Sequence, residues 1–251
     1  MAAPKVEPKI YTAIVLDFET GGLDPKDCAI TQIAMQAVRM DNWELLESYQ
    51  NYVAPYNQQD HSKRKVLKTR QQLEVQTSMK YEAKALEYSG ITMDMLHSRG
   101  MELSVVAKDV IEFVQRNTLS KGTQCKPIII GQNITFDLGF LQQMMIYTGQ
   151  MKEFAKVFAG KEDFHGNFYP HYIDTLNLSR MAFAHRSDIT SYKLELLAER
   201  LGIELDDAHD AMADVTATLN IAAVCSNRLR QESGSFATIS KAEKTRKHFK
   251  I

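Results

Sequence analysis

The stretch IVLDFETGGLDP, residues 14–25, decides the fold because it joins an apolar run to two acids and a glycine turn. Side chains alternate along a strand, so Asp17 and Glu19 point to the same side, about 6–7 Å apart. Two carboxylates aimed at one place raise each other's pKa unless a cation lies between them. The stretch therefore predicts a buried strand that ends at a site for a divalent ion with oxygen ligands. Taken alone, the pattern also fits one acid that caps a turn and one that is solvated.

The composition limits the class of protein. The chain has 251 residues, of which 44% are hydrophobic, and a formal net charge of −1. This length suits one well-filled α/β domain, and the overall charge does not indicate a polyanionic partner. Three widely separated cysteines without metal-binding spacing predict reduced thiols and a cytoplasmic location. Because no apolar run approaches about 18 residues, we expect no membrane partner.

Hydrophobic periodicity predicts an α/β fold with a mixed sheet flanked by helices. Three strands come first, with a turn at MDNW, and KPIIIGQN is a further strand. Helices are expected in SVVAKDVIEFVQRN, with Ser104 as its N-cap, and in ITFDLGFLQQMMIYTG, TLNLSRMAFAH, KLELLAERLGI and DAMADVTATLNIAAVCSNRLRQ. We expect one domain over 10–230, which includes a basic surface excursion at 57–84. A flexible arm at 1–9 precedes it, and a basic tail at 231–251 follows it.

Two further stretches carry polar groups that suit the same site. In IIIGQNITFDLGFL, a buried strand is followed by Asp137 in the first turn of a helix, where an acid also complements the helix dipole. DDAHDAMADVTAT offers His209 and Asp214 five positions apart. The two can meet if His209 lies in the loop before the helix and Asp214 points inward from it. His209 taken alone also fits an ordinary surface histidine.

The ordered set of motifs resembles the DEDDh exonucleases, the DnaQ-like branch of the ribonuclease H-like superfamily. DFETGGLDP is similar to the first family motif, GQNITFDLGFL to the second and AHDAMADV to the third, over residues 10–225. YSGIT at 88–92 is similar to the small motif between the first two. Phe18 stands between the acids where the family commonly has a small polar residue, and Ser89 stands where a histidine is common. These departures concern the substrate and the subfamily, not the metal site.

The resemblance implies a two-metal 3′–5′ exonuclease that releases nucleoside 5′-monophosphates. Two Mg²⁺ or Mn²⁺ ions about 4 Å apart would be held by four carboxylates, and His209 would be the general base. The metal ligands that it implies are Asp17, Glu19, Asp137 and Asp214. It also implies a set of substrate-binding residues, in which Leu23 would wedge between the last two bases: Thr20, Gly22, Leu23, Asn133 and Phe136.

The substrate that we expect is single-stranded DNA with a free 3′ end, in repair or in proofreading beside a DNA polymerase. An exoribonuclease of the RNase T or oligoribonuclease kind would use the same residues, so RNA stays open. A catalytically silent nucleic-acid-binding module is the alternative outside enzymes, and the complete catalytic set argues against it. We expect the basic segment 62–70 to contact the strand, with 241–250 as a second candidate.

Overall fold

The computed structural model describes residues 8–58, 78–205 and 210–231. Most of the predicted arm, most of the basic excursion, His209 and nearly all of the basic tail therefore lie outside the described residues. The two segments expected to contact nucleic acid, 62–70 and 241–250, lie outside them as well.

A five-stranded mixed sheet forms the centre of the fold, in the order β3-β2-β1-β4-β7. Strand β2 is antiparallel to both β1 and β3, whereas β4 pairs in parallel with both β1 and β7. The strands are Thr12–Thr20 (β1), Ile30–Arg39 (β2), Leu45–Tyr52 (β3), Ile128–Gly131 (β4) and Tyr172–Asp174 (β7). A separate antiparallel pair comprises Gly160–Glu162 (β5) and Phe168–Pro170 (β6). The predicted α/β fold with a mixed sheet is confirmed.

Helices cover both faces of this sheet. They are Ala83–Ser89 (α1), Met93–Arg99 (α2), Leu103–Arg116 (α3), Thr135–Tyr147 (α4), Met151–Val157 (α5), Thr175–Ala182 (α6), Leu194–Leu201 (α7) and Ala211–Gln231 (α8). Among the described residues, no helix combines the length and the apolar character needed to cross a membrane.

Side-chain alternation along β1 divides the core into two layers. Ile14, Leu16 and Phe18 pack on one face with the aromatic side chains of α3, α4 and α5. Ala13 and Val15 pack on the other face against α8. Asp17 and Glu19 continue this second row beyond the apolar core, because a strand repeats every two residues. The acids therefore face the same helix that carries the third motif.

One expectation about local structure was wrong. Ser104 is not the N-cap of α3, because the helix already begins at Leu103 with Glu102 at the capping position. Helix α1 begins at Ala83, within the last two residues of the predicted excursion at 57–84. Helices α1, α2 and α5 were not expected, because a helix of seven residues has fewer than two turns in which to show a periodic apolar face.

Candidate metal centre and active site

Three carboxylates from the two ends of the domain meet at one point. Asp17 and Glu19 extend from β1, and Asp214 lies in the first turn of α8. One oxygen from each of the three lies within 4.8 Å of the others, and all three side chains are partly exposed. The fold thus joins the first and third motifs of the sequence at the carboxyl-terminal end of the central strand.

Asp137 stands beside this trio rather than within it. It lies in the first turn of α4 and is only 3% exposed. Its Oδ1 accepts a hydrogen bond of 3.1 Å from the backbone N–H of Phe18, which lies between the two acids of β1. That bond fixes the carboxylate against the strand, and Asp137 lines the same cleft as Asp17. The four acids named from the sequence therefore share one cleft.

Burial raises the pKa values of three of these acids, and repulsion between the carboxylates of the site adds to it for Asp17 and Glu19. Burial raises the pKa of Asp17 well above its usual range, and the charges of Asp137 and Asp214 raise it further. Burial, then the charges of Asp214 and Asp137, raise the pKa of Glu19 to about 8. Burial also raises the pKa of Asp137 to about 7, although the hydrogen bond from Phe18 acts in the opposite direction.

This arrangement fits a divalent cation. Carboxylate oxygens are the ligands that Mg²⁺ and Mn²⁺ prefer, and an ion between them would offset the repulsion that raises their pKa values. Asp17, Glu19 and Asp214 are close enough to share one ion. Asp137 lines the same cleft and has an oxygen that is not used by Phe18.

A further acid, Asp210, anchors the beginning of α8 to the outer strands. Its Oδ1 accepts hydrogen bonds from Gln32 Nε2 on β2 at 3.1 Å and from Gln50 Nε2 on β3 at 2.8 Å. The Oε1 of Gln32 accepts a hydrogen bond from the backbone N–H of Ala211 at 3.4 Å. The backbone N–H of Asp214 in turn donates to the carbonyl of Asp210 at 3.1 Å. We call these three side chains, Gln32, Gln50 and Asp210, the amide clamp.

The turn after β1 is shaped by its own contacts. The Thr20 hydroxyl donates to the Gly22 carbonyl at 2.8 Å. A Cβ on Gly21 would lie 2.5 Å from the Lys80 carbonyl oxygen, and one on Gly22, whose φ is 154°, would lie 2.6 Å from Cys28 Sγ. The glycines are thus required by close packing within the protein. Thr20 and Gly22 nevertheless line the cleft, and their contact with a nucleotide stays a prediction.

The remaining predicted substrate residues surround the same cleft, which has a volume of about 520 Å³. Leu23 is 81% exposed at its edge. Phe136 is partly buried, with its ring centroid 5.1 Å from that of Phe140. Asn133 is exposed, has a φ of 52° and donates its backbone N–H to Asp174 Oδ1 at 3.1 Å. Asp174 also caps α6, because its side chain accepts a hydrogen bond from the backbone N–H of Leu176.

Sequence reasoning assigned no role to several residues that line the cleft. Helix α1 contributes Glu82 at its start, Lys84 and Tyr88, and α7 contributes Glu195. Burial, followed by the charges of Glu195, Asp214 and Glu19, raises the pKa of Tyr88. The only available signal was that Tyr88 opens the YSGIT motif. The amide clamp gave no signal, because glutamines on a strand carry no motif.

Comparison with known proteins identifies the relatives of this arrangement. The family model described as "Exonuclease" (RNase T) matches residues 14–222. The chain is 23% identical over 219 residues to a DNA polymerase III of the PolC type from Clostridium perfringens, covering 87% of this chain and 11% of that protein. It is 22% identical over 224 residues to ribonuclease T from Haemophilus ducreyi, covering 89% of each.

Among solved structures, E. coli exonuclease I in complex with a dT13 oligonucleotide superposes with a TM-score of 0.63 at 22% identity. The match covers 88% of this chain and 42% of that one. The chain thus has the fold of this exonuclease, although it spans only about a tenth of the polymerase relatives and less than half of exonuclease I.

Proposed function

Since this chain belongs to the RNase T family of exonucleases, we propose that it is a metal-dependent 3′–5′ exonuclease that acts on DNA and releases nucleoside 5′-monophosphates. The observation that carries the proposal is the trio Asp17, Glu19 and Asp214, whose oxygens lie within 4.8 Å of one another at one end of a cleft. The confirmed resemblance to DnaQ-like exonucleases supports the direction of cleavage.

The residues that would hold two Mg²⁺ or Mn²⁺ ions are Asp17, Glu19, Asp137 and Asp214. When bound, the ions would supply positive charge that acidifies the attacking water and stabilises the departing 3′ oxygen. The protein's own part is to hold these carboxylates in converging positions, which the backbone of β1 and the hydrogen bond from the Phe18 N–H to Asp137 accomplish. The charge of the bound ions would favour the ionised forms of the carboxylates.

We propose His209 as the general base that accepts the proton of the attacking water. The imidazole has an ordinary pKa near neutrality, which suits a base at physiological pH. The proposal rests on the third motif, since His209 lies outside the described residues. The neighbouring Asp210 is held by the amide clamp, so the residue that follows His209 has a fixed place beside the cleft.

The cleft suits the last nucleotide of a strand. Leu23 and Phe136 offer apolar surface on which bases can stack or wedge, and Thr20, Gly22 and Asn133 offer polar groups beside them. Single-stranded DNA is the favoured substrate, since the structural relative exonuclease I was solved with a dT13 oligonucleotide. The PolC-type relatives support an association with a DNA polymerase and, with it, a cytoplasmic location.

An exoribonuclease is the second candidate, and one observation favours it. Ribonuclease T from Haemophilus ducreyi is matched over 89% of its length, whereas the polymerases are matched over 11%. The four acids serve RNA and DNA equally well, so the substrate must be measured. A catalytically silent module is disfavoured because all four acids lie in the cleft.

The test compares DNA and RNA oligomers of one sequence, each labelled at the 5′ end, with Mg²⁺, with Mn²⁺ and with EDTA. We expect stepwise shortening of DNA from the 3′ end with either ion and none with EDTA. Faster shortening of RNA would transfer the proposal to the exoribonuclease. Binding without cleavage in every condition would contradict both and favour the silent module.

A His209→Ala variant distinguishes the role of the general base from the role of the metal ligands. We expect kcat to fall by roughly 10²–10⁴ while the Mg²⁺ concentration for half-maximal activity changes little. The acidic limb of the pH–rate profile should shift or disappear. An unchanged profile with unchanged kcat would show that His209 takes no part.

A further inference from the structure

A second cavity, away from the acidic cleft, is lined by arginines. It has a volume of about 560 Å³ and lies where the end of α6 meets α7 and α8. Arg186, Arg200 and Arg228 line it together with the side chain of Asn227, and the ring of Phe183 forms part of its wall. Among the residues that the structure describes, none that lines the cavity is acidic. We call it the arginine cavity.

Two of the three guanidinium groups are fixed by protein contacts. Arg186 binds both carboxylate oxygens of Asp188, which offsets its charge in part. Arg228 hydrogen-bonds the ring of His185. Arg200 makes no side-chain hydrogen bond to any residue that the structure describes, and its charge lowers the pKa of Asp188 only as the last of several causes. The cavity therefore keeps a net positive charge and one guanidinium group that can bind a ligand.

The aromatic wall decides which part of a ligand can bind. The guanidinium carbons of Arg186 and Arg228 lie 5.9 and 5.5 Å from the centroid of the Phe183 ring, and this ring is only 2% exposed. A base could not stack on a ring that is covered in this way. The cavity instead presents planar guanidinium N–H groups, which match the oxygens of a phosphate.

The arginine cavity and the acidic cleft share two helices. Asp214 lies in the cleft, and Val224 and Arg228, ten and fourteen residues further along α8, line the cavity. At 1.5 Å per residue, the two sites are about 15–21 Å apart along the helix. On α7, Glu195 lines the cleft and Arg200 the cavity. This distance corresponds to about four to six nucleotides of a strand at 3.4 Å each, and to fewer in an extended strand.

We propose that the arginine cavity binds backbone phosphates of the same strand whose 3′ end occupies the acidic cleft. The inference rests on the proposed function, because it takes the ligand to be a nucleic acid. The site binds through charge and guanidinium geometry, so it is indifferent to base sequence. The chain has a net charge of −1 and an acidic cleft, and the arginine cavity would supply the positive charge with which it binds a polyanion.

The experiment compares a thymidine dinucleotide, which is too short to reach the cavity, with a thymidine dodecanucleotide. The variant is Arg200→Gln, and the matched control is Arg99→Gln, which removes the same charge from the exposed end of α2. Binding is measured in Ca²⁺ over a range of salt concentrations. We expect Arg200→Gln to weaken binding of the dodecanucleotide about tenfold. The slope of log K against log salt should fall by about 0.7.

The dinucleotide isolates the proposed catalytic function. Its hydrolysis with Mg²⁺ should be the same in the wild type, Arg200→Gln and Arg99→Gln. If neither the wild type nor any variant hydrolyses the dinucleotide, the proposed function fails. The binding measurement still shows whether the arginine cavity contacts the strand. Equal dodecanucleotide affinity and equal salt slopes in the wild type and Arg200→Gln would overturn the inference. The inference would also be overturned if Arg200→Gln weakened the binding of a hexaglutamate peptide instead of the binding of the dodecanucleotide.

A second variant covers the case in which Arg200→Gln does not fold. Asn227 is exposed on α8, and Asn227→Glu adds a carboxylate to the cavity without removing an arginine. We expect the same selective loss of dodecanucleotide affinity, with dinucleotide hydrolysis unchanged. Unaltered affinity in a folded Asn227→Glu protein would contradict the inference.

Discussion

The two halves of the candidate metal centre are held in different ways. The strand half, Asp17 and Glu19, lies on β1, which is paired with β2 along its whole length and with β4 near its beginning. The helix half, Asp214, lies in the first turn of α8, which reaches the sheet through the packing of Val215 and through the amide clamp. Backbone pairing fixes the first half, whereas side chains fix the second.

This difference predicts which substitutions should remove a charge from the site and which should displace one of its carboxylates. A change to the carboxylates of β1 leaves the ladder of backbone hydrogen bonds intact and removes only charge. A change to the amide clamp leaves every metal ligand in place and loosens the element that delivers one of them. The two halves can therefore be separated by experiment.

The largest effect is expected from the strand half. Asp17→Asn should lower kcat by about a hundredfold to a thousandfold or more, because a charge that balances the reacting centre is removed. The metal-free variant should be at least as stable as the wild type, since the repulsion from Asp137, Asp214 and Glu19 is relieved. Activity is measured on an end-labelled oligonucleotide and Tm by calorimetry. Asp94→Asn, an exposed acid on α2, is the control. Near-normal turnover would disprove the metal assignment.

An intermediate effect is expected from the helix half. Asp210→Ala leaves the amides of Gln32 and Gln50 without their acceptor, so the free energy of unfolding should fall by about 1–3 kcal/mol. Displacement of Asp214 should lower kcat about tenfold, equal to about 1.4 kcal/mol in the barrier, and should raise the Mg²⁺ concentration required. Asp210→Asn keeps one acceptor oxygen and should retain most of the stability. Equal losses in both variants would show that charge matters more than the clamp.

A smaller effect links the two halves through pH. Glu19 has an ordinary pKa of 4.5 and a pKa of about 8 in the folded protein, so between these values the folded state holds more protons than the unfolded state. The metal-free protein should therefore lose stability as pH rises through this window. Mg²⁺ binds the ionised form, so it should raise Tm more at pH 8 than at pH 5.5. Glu19→Gln should diminish this difference, and equal Tm shifts at both pH values would contradict the raised pKa.

The smallest effect on stability is expected at the exposed turn after β1. Leu23 is 81% exposed, so Leu23→Ala should change the free energy of unfolding by less than about 0.5 kcal/mol. If Leu23 wedges between bases, KM for an oligonucleotide should rise several-fold while stability stays constant. Leu119→Ala, at an exposed position outside the cleft, serves as the control. Identical KM values in both variants would leave Leu23 without a part in binding.

Sequence predicted strands β1 to β4 and the acids because both follow local rules, whereas β5, β6 and β7, each of three residues, were not expected. An apolar run interrupted by Asp17 and Glu19 fixes a strand and the face of its acids, and the first-turn place of Asp137 follows from the helix pattern. The prediction that Asp214 lies near Asp17 and Glu19 depended on the family resemblance, because spacing in the sequence alone did not indicate which residues Asp214 would meet. The geometry of the fold then accounts for it, because Asp17 and Glu19 lie on the face of β1 that α8 covers.

Other features could not be predicted because they depend on contacts between distant parts of the chain. Gln32, Gln50 and Asp210 form a network only after β2, β3 and α8 have assembled, and no spacing between them marks it. The arginine cavity likewise joins residues of α7, of α8 and of the segment that follows α6. Gly22 was expected to contact a nucleotide, and its close packing against Cys28 gives a further reason for a glycine at this position.

The assembly of the metal centre from β1 and α8 has a consequence for biosynthesis. A ribosome delivers β1 early and α8 late, and domains generally fold once the segments that they require have emerged. Asp17, Glu19 and Asp137 must therefore wait for Asp214, so a chain that has not yet reached α8 holds three of its four proposed metal ligands. We expect a nuclease built in this order to stay inactive until α8 has emerged from the ribosome.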